Sequence, residues 1–296
     1  MRFLAIGECM AELSPRAQGG DYRLGFAGDT FNTAWYLART APEVGVSYFT
    51  AVGDDATSGE MRRFIRASGI DDTHVQVLPG ETIGLYLIHL ENGERSFSYW
   101  RAQSAARQLA KDVAALDRAI ATSDVVYFSG ITLAILDPSS RDVLMTALAR
   151  GRAQGKTIAF DTNLRPRLWA DTQTMCDAVT AAASQADIVL PSFDDEADWF
   201  GDATAEETLA RYLSLGAPTV IVKNSAQSVI FEERGQRGET VVEQVASVVD
   251  TTAAGDSFNA GVLAAVLRGE PLPQGIAAGC RLAARVVGER GALVDL

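Results

Sequence analysis

The sequence predicts an α/β fold: a mainly parallel central sheet flanked by helices. Short apolar runs alternate with amphipathic stretches for most of the 296 residues, as crossover helices covering both faces of such a sheet require. The chain is 47% hydrophobic and 22% charged, and a folded chain of this length buries roughly 75% of the surface its unfolded form exposes. One large core is therefore possible without disulfide support.

In chain order, strands are expected over residues 3–6, 46–51, 125–128, 157–161, 188–190 and 219–222, with helices such as 141–150, 176–184 and 206–215 between them. The opening apolar run breaks at Gly7 and Glu8 and reads as a buried strand rather than a signal peptide. Thr204 and Glu207 have capping-box spacing at a helix start. Beyond Val222 antiparallel strands are expected at 228–232 and 240–245, around the Gly-rich stretch 233–238. The last third returns to helix.

One segment departs from this alternation. Asn92-Gly93 separates two β-rich runs within 83–101, the strongest short-range hairpin signal. Such a hairpin has no obvious place in a parallel sheet, so a small lid or dimerisation flap is expected, with companion strands from 16–26. No linker divides the chain. The expected organisation is one domain over 1–296, with a lid from about 12–27 and 83–102.

Several function classes lose support at once. With 26 Lys+Arg against 38 Asp+Glu, the net charge of -12 repels phosphate backbones and anionic lipid, so neither nucleic acid nor membrane is an expected partner. No run approaches the ~20 apolar residues that span a bilayer. Cys9, Cys176 and Cys280 lie far apart, which supports neither a disulfide framework nor a cysteine metal site and points to a cytoplasmic protein. Two histidines, His74 and His89, leave little for a triad or a zinc centre. Gly151 to Thr157 resembles a P-loop, but runs from helix to strand with a spacer one residue short. Neither G-x-G-x-x-G after a strand nor G-x-S-x-G occurs, against a dinucleotide dehydrogenase and an α/β-hydrolase.

The stretch 248–267 is informative. A strand is expected to end near Val249, and a helix to open around Asp256 with Phe258, Val262 and Val266 on one face. The amides of Ala253, Ala254 and Gly255 would then point from a helix N-terminus at an anion. Asp256 could accept a hydroxyl proton as a phosphoryl group is transferred. It could equally complement the helix dipole while the small residues pack closely. The turn alone leaves both readings open.

Asp250-Thr-Thr-Ala-Ala-Gly-Asp256 resembles the Asp-Thr-x-Gly-Ala-Gly-Asp signature of the ribokinase-like (PfkB) carbohydrate kinases. Gly28-Asp-Thr-Phe-Asn32-Thr-Ala34, followed by Val52-Gly-Asp-Asp55 and Gly59, resembles the first signature of that family. Two long motifs in order are far more specific than one. The resemblance implies a ribokinase-like fold, a small β lid over the site, Asp256 as base and the 253–255 amides as anion hole. Within the family, Gly7 to Ser14, Tyr99-Trp100-Arg101, Asp161 to Trp169 and Leu190 to Glu196 are similar to 2-keto-3-deoxygluconate kinases. This implies a magnesium-dependent transfer from ATP to the terminal hydroxyl of that sugar acid.

The resemblance assigns sugar contacts to Gly28, Asp29 and Asn32. A sugar acid needs local positive charge, which Arg101 and Arg165 could supply as forked donors, and Tyr86 and Tyr99 can present hydroxyls and ring faces. Without a ligand, Arg165 would instead pair with a nearby carboxylate and the tyrosines would pack across strands. On the nucleotide side the sequence departs from the family. The usual Asn-x-x-Glu is Ser192-Phe-Asp-Asp195 with Glu196 adjacent, so Asp195 or Glu196 is the expected magnesium-side acid. The Lys-x-Gly-x-x-Gly pattern is Lys223-Asn-Ser225-Ala-Gln-Ser228, with serine at both glycine positions. Small residues at Ala277 to Cys280 and Ala283-Ala284 suit a flat purine slot or close helix packing. Kinases of neutral sugars and a non-catalytic sugar-acid sensor are the alternatives, and an aromatic lid edge suggests a homodimer or higher homo-oligomer.

Overall fold

A computed structural model describes residues 1–296 except 17–19, 92–93, 243–244 and 246. Arg2–Ile6 lies inside a nine-stranded sheet, parallel to Gly45–Gly53 on one side and Val125–Ser129 on the other. Thr157–Asp161, Ile188–Val189 and Thr219–Val222 continue it in parallel, and Val75–Leu78 forms the far edge. Side chains alternate across a strand, so each face needs its own core. Phe3 and Ala5 pack with Phe31, Phe258 and Val262 on one face, whereas Leu4 and Ile6 pack with Leu116, Leu144 and Val179 on the other.

Each parallel strand expected from the sequence is present, and helices occupy Pro138–Ala153, Thr172–Ser184 and Ala205–Ser214. Thr204 caps the last of these through the Glu207 amide, but the Glu207 carboxylate takes the N–H of Ala203, so the box is only half made. Two expectations are corrected. The antiparallel pair is Val229–Glu233 with Gln236–Thr240 rather than a strand over 240–245. Arg234 and Gly235, with φ of 48° and 83°, turn the chain in two residues, the left-handed pair that suits a tight hairpin. No strand ends near Val249 among the described residues; 247–253 are irregular and a helix opens at Ala254.

A second sheet has four strands in the order Tyr22–Ala27, Met10–Pro15, Leu85–Glu91, Glu94–Trp100. The tip at 92–93 lies outside the described residues. Strand register puts Glu12, Tyr86, Ile88, Phe97 and Tyr99 on one face and Leu24, Leu87 and Trp100 on the other. The first face turns inward: Tyr86 and Ile88 cluster with Ala253 and Ala292. The sheet therefore sits over the turn that precedes Asp256.

Candidate active site

Ligands in open α/β sheets bind beyond the carboxyl ends of the parallel strands. Here those ends carry Glu8, Ser129, Asp161, Ser192 and Lys223, each within a few residues of the last strand position. They converge with the N-termini of the helices Asp29–Thr40 and Ala254–Arg268. Close packing fixes the second of these helices: a Cβ on Gly261 would lie 2.6 Å from Gly279 Cα in the neighbouring helix Leu272–Val286.

Ala253 occupies the N-cap in the left-handed region, at φ 60° and ψ 14°, without a capping side chain. The amides of Ala253, Gly255 and Asp256 have no acceptor among the described residues, whereas the Ala254 amide is bonded to Thr251 O at 3.2 Å. The expected set of Ala253, Ala254 and Gly255 is corrected accordingly: the Ala254 N–H is already engaged. A Cβ on Gly255 would meet nothing closer than Lys223 Nζ at 3.8 Å. The Gly255→Ala variant should therefore fold with an unchanged melting temperature. Its added methyl would enter the space above the amides and lower kcat by at least tenfold, which melting curves and ADP release together would check.

Asn32 Nδ2 donates to Asp256 Oδ2 at 2.8 Å, and Thr33 Oγ1 donates to the Asp256 carbonyl at 3.2 Å. Burial, then the nearby Asp29 charge, pushes the Asp256 carboxyl well above its ordinary value, against the opposing Asn32 bond. Asp29 is itself raised, first by burial, although Ser129 Oγ and Asn163 Nδ2 donate to its Oδ2 at 2.5 and 2.7 Å. Gly28 has no room for a side chain, since a Cβ would lie 2.1 Å from Glu8 O.

Beside the turn opens a cleft of about 630 Å³. Its lining includes Arg165, Ser192, Asp195, Lys223, Ser225 and Gly255, together with the apolar side chains of Phe258, Cys280, Ala283 and Val287. Lys223 Nζ is held by Asp161 Oδ1 at 2.9 Å and Asn259 Oδ1 at 3.3 Å. Ser225 adopts φ 47°, a glycine-like backbone despite its side chain, and its hydroxyl donates to Asp194.

Glu196 is corrected as a magnesium-side acid. It is fully buried, away from the cleft, where Arg211 and the Tyr212 hydroxyl each donate to its Oε2 at 2.8 Å. Asp195 lines the cleft and pairs with Arg165 at 3.4 Å. Among the described residues no cluster of three or more His, Cys, Asp or Glu could hold a metal by itself.

The second expected arginine is also engaged. Arg101 pairs with buried Glu8, which accepts Ser104 Oγ at 2.5 Å as well. Arg101 therefore carries no free charge, although its Nε is buried without a partner among the described residues. Tyr86 and Tyr99 sit directly opposite, ring centroids 5.9 Å apart, but the Tyr86 hydroxyl donates to Glu12. Glu8, Asp161, Asn163 and Asn259 were not singled out from sequence as site residues. Their signal was position alone, at strand ends or one helix turn beyond Asp256.

Residues 2–296 match the model of the pfkB family carbohydrate kinases. A 2-dehydro-3-deoxygluconokinase from Haemophilus influenzae is 39% identical, covering 98% of this chain and 94% of that protein. One from Escherichia coli K12 is 37% identical, covering 99% and 97%. A crystal structure of a PfkB protein from Polaromonas sp. JS666 superposes with a TM-score of 0.87 at 27% identity, covering 97% of this chain and 95% of the other. The match runs from the first strand to the last helix, and the chain belongs to the pfkB family of carbohydrate kinases.

Proposed function

We propose that the chain is a 2-keto-3-deoxygluconate kinase, transferring the γ-phosphoryl of ATP to the terminal hydroxyl and yielding the 6-phosphate. The observation that carries this is the juxtaposition of Asp256 with unpaired amides beside a cleft lined by both charged and apolar side chains. The names of the 2-dehydro-3-deoxygluconokinase relatives support the choice of sugar acid.

In this reading Asp256 takes the hydroxyl proton while the free amides face the charge that develops on the transferred group. Asn32 and Thr33 orient the base, Asp29 accepts from sugar hydroxyls, and Gly28 lets the backbone approach. The apolar slot at Cys280 and Ala283 suits the purine, and Ser192, Lys223 and Ser225 lie along the phosphates. Asp195 suits a magnesium ion brought in on the phosphates, since Mg²⁺ commonly takes one or two carboxylates plus phosphate oxygens and keeps several waters. Bound there, the ion would neutralise phosphate charge.

The arginines need a physical argument because both are paired. The Arg165–Asp195 contact is long and half-exposed, a kind of pair worth at most about 1 kcal/mol, so a substrate carboxylate displaces Asp195 at little cost. Arg101 keeps an unpartnered but buried Nε–H, so it meets a substrate carboxylate only once its side chain shifts. The same pairings favour a second reading, a kinase of neutral sugars, because neither arginine is obliged to find a ligand anion. A matched panel of sugar acids and neutral sugars in an ADP-release assay separates the two. Preference for 2-keto-3-deoxygluconate by at least a hundredfold in kcat/KM is expected, and turnover of neutral sugars alone would reject the sugar acid.

The three cysteines are free and among the described residues no helix is long and apolar enough to cross a membrane, in keeping with a cytoplasmic enzyme. Tyr22, Leu24 and Trp100 are exposed on the lid, and a second copy covering that surface would make a homodimer. Light scattering that gave only monomer would reject it.

A further inference from the structure

Arg95 lies on the inner face of the lid, in register with Leu90 and in alternation with Phe97 and Tyr99. Its guanidinium crosses to the loop before Asp256. Nη1 pairs with Asp250 Oδ2 at 2.5 Å and donates to Thr252 Oγ1 at 3.0 Å. The Asp250 side chain is 5% exposed and that of Arg95 is 20% exposed, so water screens the pair far less than a surface pair.

Asp250 is the hub of that loop. Its Oδ1 accepts the amide and hydroxyl of Thr252, at 3.1 and 2.7 Å, and its Oδ2 accepts the Gly291 amide at 2.7 Å. Thr252 immediately precedes Ala253, whose left-handed backbone aims the free amides. One guanidinium therefore joins the lid, the turn and the C-terminal segment. Asp250 is ionised and ready for it: burial would raise its carboxyl, but the Gly291 amide, Thr252 and Arg95 together hold it below the ordinary value.

We propose that Arg95 is a positioning residue that couples lid closure to the geometry of the anion-binding turn. It touches neither sugar nor nucleotide. When the lid is down, its bonds to Asp250 and Thr252 fix the turn; when the lid lifts, Thr252 loses its second partner and the amides lose their aim. Phosphoryl transfer is then confined to the closed state, in which water is excluded from the donor. The inference rests on the kinase reading above, with Asp256 and the free amides as the reacting centre.

The test compares wild type, Arg95→Ala and Arg95→Gln, following ADP release and phosphorylated sugar in parallel. Both variants should lose at least tenfold in kcat, with the KM for ATP changed less than threefold. Both should also release more than one ADP per phosphosugar, an uncoupling that a purely structural role would not produce. The neutral Arg95→Gln variant keeps most of the stem and serves if Arg95→Ala does not fold. Either variant folded, with wild-type kcat and one-to-one coupling, overturns the proposal. A separate hydrogen-exchange readout is independent of turnover. In wild type, residues 85–91, 94–100 and 250–256 should be protected together, and in Arg95→Gln all three should exchange faster; an unchanged pattern overturns the coupling even if the sugar proves to be a different one. Absence of sugar-acid turnover in wild type would reject the substrate assignment instead.

Discussion

Asp256→Asn should lower kcat by roughly 10²- to 10⁴-fold, the range for removing a general base, while sugar affinity stays within about threefold by calorimetry. Asparagine keeps the shape and can still bond Asn32, but it cannot take a proton. The pH profile gives the same residue a second signature. The carboxylate must be unprotonated to act, so kcat/KM should fall as pH falls through its pKa. Burial and the Asp29 charge raise that pKa above the ordinary 3.8, and the acid limb should lie correspondingly high. Stability should move the other way. Because the folded state binds this proton more tightly than the unfolded chain, ionisation costs stability as pH rises from the unfolded pKa through the folded one. At neutral pH, Asp256→Asn should therefore melt above wild type while turning over far more slowly. A variant that melts lower and keeps most of its activity would remove Asp256 from the mechanism.

Lys223→Met should damage both stability and turnover. Lys223 and Asp161 form a pair with side chains 12% and 5% exposed, and Asp161 Oδ2 also accepts Asn259 Nδ2 at 2.9 Å. Removing one member of a buried pair leaves an uncompensated charge, at a cost of about 3–5 kcal/mol, or a melting temperature lower by about 6–10 °C. The ammonium also lines the cleft beside Gly255. In the proposed kinase reading this charge faces the transferred group, and losing it should lower kcat by about 10²-fold. The double variant Lys223→Met with Asp161→Asn separates the two effects. It removes the orphaned charge, so melting should recover by at least half while kcat stays low. Recovery of both would mean that Lys223 acts through stability alone.

The parallel strands were legible in the sequence because each is a short apolar run between amphipathic stretches, and burial on both faces leaves no other pattern. The Asp256 turn was legible only through its resemblance to the Asp-Thr-x-Gly-Ala-Gly-Asp signature, because small residues before a carboxylate at a helix start suit close packing and the helix dipole equally well. The side on which a helical carboxylate falls was not legible. Asp195 and Glu196 are about 100° apart around the helix Phe193–Phe200, and the one that is buried is held by Arg211 and Tyr212, which are distant in sequence. The hairpin after Val222 was misplaced because Arg234-Gly235 is a weaker turn signal than Asn-Gly, although it turns the chain in two residues. Arg101 looked like a free cation because its partner Glu8 is distant in sequence and is brought beside it by the lid. Arg95 and Asn259 belong to the same class: long-range partners that no local pattern marks.

The most direct measurement is the identity of the phosphorylated carbon. Wild type is incubated with ATP, Mg²⁺ and 2-keto-3-deoxygluconate, and the product is read by phosphorus and carbon NMR. We expect one phosphomonoester, on the terminal hydroxyl, formed in step with ADP. A phosphate on any other oxygen, or ADP formed without a phosphosugar, would contradict a base and an anion-binding turn arranged around that hydroxyl.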